Sequence, residues 1–148
     1  MSNVDEQDER IAKILLDTIP LDLDVEDIPE VCPESLERYF AYLKSNLKLP
    51  CFLTGIEGFT WEERYFFGYG SEAEYEKQRK TQPSYKDTFN LLSLDEEINE
   101  DYGLFVDVKR TSDNKNFTLP LADLKASDEH SNNYQLLDDY SVWFVNNR

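Results

Sequence analysis

The residues most able to do chemistry in this chain are acids, and their densest run is Asp95-Glu96-Glu97-Ile98-Asn99-Glu100-Asp101. Five carboxylates and an amide in seven positions crowd like charges into one short segment, which costs stability through repulsion unless a cation neutralises them. Hard cations such as calcium take six to eight oxygens from acids, amides and carbonyls in flexible geometry, so Asp95, Glu96, Glu97, Glu100 and Asp101 are the candidate metal ligands. The expected direct ligands are Asp95, Glu97 and Asp101, with Glu96 and Glu100 supplying further oxygens or field. An EF-hand loop is excluded elsewhere: Asp22, Asp24 and Glu26 alternate correctly, but Asp27 stands where glycine is required and Pro33 where the bidentate glutamate belongs.

Other chemistries lack their partners. His130 is the single histidine and lies in a polar loop, without the companions of a catalytic or zinc histidine. Cys32, before Pro33 at a helix start, and Cys51 have no neighbouring base, and two thiols make neither a disulfide framework nor a zinc site. Glu62 and Glu63 beside Trp61 are the best acid pair for hydrolysis, but adjacent side chains point apart. Gly68-Tyr69-Gly70 lacks the third glycine and the βαβ setting of a dinucleotide loop. The expectation is a protein that is not an enzyme.

Thirty-one acids against fifteen bases give a formal charge of −16, which disfavours nucleic acid and anionic lipid as partners and favours cations and basic proteins. No apolar run is long enough to cross a bilayer, and the N-terminus is acidic where a secretory signal is basic, so a cytoplasmic location is expected.

The elements that must position these residues are legible in part. Residues 1–30 carry ten acids against Arg10 and Lys13 and read as an acidic arm with a short amphipathic helix on Ile11, Ile14, Leu15 and Ile19, ended by Pro20. Residues 31–148 read as a single α+β domain. Leu36, Tyr39, Phe40, Leu43 and Leu47 predict the main helix over 34–47, and Cys51 to Glu57 a strand. An aromatic-rich insertion at about 58–87 has no sustained period, is expected to pack on the core, and includes a short helix from Ala73 to Lys80. Strands follow over 88–94, 103–110 and 116–121, the last two as a hairpin, and the alternation of Tyr140, Val142 and Phe144 predicts a final strand over 138–145. N-terminal helices packed on a small SH3-like antiparallel β-barrel are the expected architecture.

The helix carrying Tyr39-Phe40-Ala41-Tyr42-Leu43, its exit through Leu49-Pro50, and Leu119-Pro120-Leu121 with Leu124 resemble the small cyanobacterial-type calcium-binding protein family over roughly residues 36–125. The resemblance implies an acidic protein with an SH3-like barrel beside a helix, calcium as the bound ion, and a role in buffering or signalling. It places the family's acidic run at Asp95, Glu96, Glu97, Glu100 and Asp101. The arm, the insertion from Phe59 to Tyr85 and the tail from Asn132 to Arg148 depart from the pattern. The alternative reading is an acidic protein-binding module, an inhibitor or immunity-type partner of a basic protein, with anchors from the Trp61–Tyr69 segment.

Overall fold

The computed structural model describes residues 4–148. Helix α1 (Glu6–Leu15) starts at Asp5, whose carboxylate accepts the Asp8 N–H while the Asp8 carboxylate accepts the Asp5 N–H, a capping box. It stops at Leu15, short of Pro20, and buries Ile11, Ala12 and Leu15. Helix α2 (Pro33–Asn46) opens on Pro33, whose missing N–H and fixed φ suit a first turn. Its buried Leu36, Tyr39 and Leu43 form the expected stripe.

The remaining elements are β1 (Phe52–Gly55), the short helices α3 (Glu63–Phe66) and α4 (Glu72–Arg79), β2 (Phe89–Asn99), β3 (Gly103–Arg110), β4 (Asn116–Pro120), β5 (Leu124–Ala126) and α5 (Asn132–Asn146). The strands form one antiparallel sheet in the order β4-β3-β2-β1-β5. Sheet and helices make an α+β fold, but the sheet is open, with β4 and β5 at its edges, and the expected SH3-like closure is not seen. The helices contribute their own aromatic cluster to the core: Tyr39 of α2 meets Tyr140 and Trp143 of α5 at ring separations of 5.2 and 5.0 Å, and all three are fully buried.

The C-terminal strand expected over 138–145 is instead part of helix α5. Leu137, Tyr140, Ser141 and Phe144 are buried at i, i+3, i+4 and i+7, the helical period, and Ser131 caps the start by accepting the Tyr134 N–H at 3.2 Å. The alternation over 140–145 is a coincidence within that wider stripe.

Helix α1 joins the same core. Ile11 and Leu15 pack with residues of α2, α5 and the sheet, and Arg10 makes a two-point contact with the buried carboxylate of Asp139, at 2.8 and 3.0 Å.

The insertion builds a small core of its own around Glu62. This carboxylate is fully buried and accepts the Ser84 hydroxyl and the Tyr85 N–H at 2.8 Å each, the Phe59 N–H at 3.3 Å, and the Tyr75 hydroxyl. Trp61 stacks on Tyr75 with centroids 5.5 Å apart. Phe59 alone among the insertion's apolar side chains packs against the main core, while Phe66, Phe67 and Tyr69 remain exposed. Among the described residues no helix is long and apolar enough to cross a membrane.

Candidate functional site

The acidic run does not lie between the strands as their expected bounds, 88–94 and 103–110, would have it. Asp95 to Asn99 lie within β2, and only Glu100, Asp101 and Tyr102 form the turn into β3. The strand is irregular there. Leu94 pairs with Val106 and Ile98 with Leu104, so Asp95, Glu96 and Glu97 bulge opposite the single residue Phe105. An earlier irregularity sets Leu92 outside the register between Leu91↔Val108 and Ser93↔Asp107.

Leu94 and Ile98 pack against the core and anchor the bulge at both ends, which leaves Glu96 and Glu97 exposed and Asp95 half-buried. Asp95 Oδ1 accepts the Glu97 N–H at 2.8 Å, and Asn99 Oδ1 accepts the N–H groups of Asp101 and Tyr102 at 2.7 and 3.0 Å. These local bonds shape the segment and occupy one oxygen on each of two side chains. Gly103, at φ +76°, closes the turn, and a Cβ there would lie 2.3 Å from the Tyr140 hydroxyl oxygen.

The structure places Glu100 and Asp101 on the turn and Asp95, Glu96 and Glu97 on the bulge. Among the described residues no three His, Cys, Asp or Glu side chains are gathered as a metal cage. A calcium ion held here must therefore collect its oxygens, as it binds, from side chains that are mostly exposed. The oxygen chemistry suits calcium, whereas the thiols do not contribute: Cys32 and Cys51 are separate free cysteines, the second buried.

Two features of the surroundings escape a linear reading. Asp107 stands beside the bulge, accepting the Thr118 hydroxyl at 2.7 Å and the Ser93 hydroxyl at 3.3 Å. Its place opposite the Leu104, Val106 and Val108 face was the available signal. On another face, Glu57, Glu63, Asp123 and Asp138 line a concavity of about 510 Å³ with Arg148. Desolvation raises the Asp123 carboxyl above its ordinary range, the Glu57 charge adds to this, and Arg148 opposes it. These four acids are scattered in sequence and share this concavity only through the fold.

A family model described as calcium binding, of the CcbP type, matches residues 67–144, more than half of the chain. The chain belongs to the CcbP calcium-binding family. The matched span begins just after α3 and runs through α4, β2–β5 and most of α5, and so contains the whole acidic run. The crystal structure of Anabaena CcbP is similar over 98% of this chain and 95% of that one, with a TM-score of 0.54 at 17% identity. A structure described as a calcium-binding protein in the calcium-binding form is similar over 97% of this chain and 92% of that one, with a TM-score of 0.53 at 18% identity. At these identities the two structures support the CcbP fold for this chain, the acidic arm and tail included in the alignment. No curated protein matches the sequence.

Proposed function

We propose that this CcbP-family protein binds calcium reversibly through the carboxylates of the β2 bulge and the β2–β3 turn, as a cytoplasmic buffer or signalling component. Asp95, Glu97 and Asp101 are the proposed direct ligands, and Glu96 and Glu100 supply further oxygens. Membership of a calcium-binding family over a span that includes this segment is the observation that supports the reading. The largely exposed placement of the acids on a bulge and a turn favours weak to moderate affinity, because ordering them around the ion costs conformational entropy. The family is described by ion binding, and no catalytic role is proposed for the chain.

The test is calorimetric titration of calcium into metal-free protein, with magnesium as the control, on wild type and on Asp95→Asn/Glu97→Gln/Asp101→Asn. Saturable heat that the triple variant loses supports the assignment. Unchanged heat in the variant moves the site, with the concavity of Glu57, Glu63, Asp123 and Asp138 next to be neutralised. No heat in the wild type at millimolar calcium overturns the reading.

A further inference from the structure

The sheet leaves one of its inner strands half uncovered. Strand β1 pairs with β2 only through Phe52↔Asn90 and Leu53↔Phe89, with one further bond from the Leu91 N–H to the Cys51 carbonyl at 2.9 Å. Strand β2 continues for eight residues beyond that point, Leu92 to Asn99, and among the described residues no strand pairs with it on the β1 side. The chain explains why: the segment before β1 turns away through Leu49 and Pro50 into α2.

Beside this uncovered length runs a groove of about 620 Å³. Leu43 of α2, with Leu47 and Leu49 just past its end, forms one wall, and Leu92 and Leu94 of β2 form the other. Leu49 is 61% exposed and Leu92 42%, so neither is committed to the core. The rim is acidic, with Asp95, Glu96 and Asp107 on the strand side, and Lys44 is the single base that lines it. Lys44 leans over the Phe40 ring, 5.7 Å from its centroid.

An apolar floor, an uncovered strand edge and an acidic rim define an occupant. A strand edge takes an extended backbone, alternate side chains of that backbone enter the leucine groove, and the intervening side chains meet the rim. We infer that this groove docks an extended, cationic, alternately apolar segment of a partner protein along the uncovered edge of β2. The formal charge of −16 draws such a segment in from a distance, and the leucines and the edge set its register. The occupant is not a second copy of this chain, whose charge would repel it.

This docking goes beyond calcium binding and is measured with calcium chelated, so that each stands or falls separately. The probe is a fluorescein-labelled nine-residue peptide alternating lysine and leucine, followed by fluorescence anisotropy at moderate salt. Comparison peptides of the same composition carry lysines and leucines in two blocks, or in the i, i+3, i+4 pattern of a helix. Saturable binding of the alternating peptide, about tenfold tighter than either isomer, is expected. Leu92→Lys and Leu49→Lys, each checked for an unchanged far-ultraviolet spectrum, should each weaken it by about tenfold, whereas Phe67→Ser on the distant aromatic surface should not. Methylating alternate backbone nitrogens of the peptide should abolish binding in one phase of alternation only, since one edge of the peptide faces β2. Equal binding of the three isomers would mean charge attraction alone and would overturn the proposal. So would preference for the helix-patterned peptide, or wild-type affinity in both leucine variants.

Discussion

The hydroxyl of Tyr140, near the middle of α5, accepts the backbone N–H of Leu104 at 2.8 Å, and so ties the helix to the start of β3 just beyond the acidic run. Both residues are fully buried, and the contact is possible because Gly103 has no Cβ to occupy the tyrosine's path. Burial pushes the phenol well above its ordinary range, so it stays protonated at any physiological pH. Tyr140→Phe strands the Leu104 N–H away from water, and should cost about 1–3 kcal/mol in urea unfolding. Hydrogen exchange should accelerate at Leu104 and through the Glu100–Gly103 turn. Unchanged exchange there would mean that the turn is held by β2–β3 pairing alone.

Glu62 holds the insertion together without a basic partner: its four bonds come from two hydroxyls and two backbone N–H groups. The arrangement pushes the Tyr75 hydroxyl up to about 12, through burial first and the Glu62 carboxylate second. Glu62→Ala leaves several donors buried and unpaired, and is expected to destabilise the protein by about 2–4 kcal/mol. Trypsin should then cut early at Lys77, Arg79 or Lys80, while β2 and β3 stay intact in the larger fragment. Early cutting spread over the whole chain would instead show that the insertion and the sheet unfold as one unit.

The acid limb of stability should carry the signature of Asp113. Its carboxylate receives the Arg110 guanidinium at 3.0 and 2.7 Å, which lowers it from an ordinary 3.8 to about 2. A depressed folded value means that the unfolded chain takes up the proton first as pH falls, so this contribution is complete above about pH 4 and fades towards pH 2. Asp113→Asn should therefore be less stable than wild type at pH 7 and converge on it as pH falls to about 2. Urea midpoints across that range decide it; a gap that does not narrow would show that Arg110 is held by Asp87 and the carbonyls of Arg79, Lys80 and Gln82 regardless of Asp113.

Local patterns sufficed where one face of an element is buried. The stripe of α2 and the alternation of β3 read directly as Leu36, Tyr39 and Leu43, and as Leu104, Val106 and Val108, all fully buried. The reading failed at α5, where six residues of apparent alternation concealed a longer helical period through Leu137 and Tyr140. It also failed to find β5, three residues long, whose pairing with β1 depends on Leu53 meeting Ala126 far along the chain. The acids were identified by composition, but their placement in a bulged strand follows from Leu94 and Ile98 being held four positions apart against Val106 and Leu104. Tertiary packing sets that spacing, and the acidic run itself carries no sign of it.

Calcium should stabilise the protein, and charge neutralisation should reveal where. In metal-free protein the acids of the bulge and turn repel one another, so Asp95→Asn/Glu97→Gln/Asp101→Asn should be slightly more stable than wild type, by about 0.5 kcal/mol or less because Glu97 and Asp101 are exposed and screened and Asp95 is only half-buried. Calcium at a hundredfold excess over the measured Kd adds about 2.7 kcal/mol to the wild type, or about 5–10 °C in Tm for a chain of this size. The variant should gain little, so the order of the two proteins inverts when calcium is added. Magnesium, which dehydrates reluctantly and demands octahedral geometry, should shift the wild type far less. An equal calcium shift in both proteins would separate the ion from these acids, and an equal shift with magnesium would reduce the effect to general screening of a highly acidic surface.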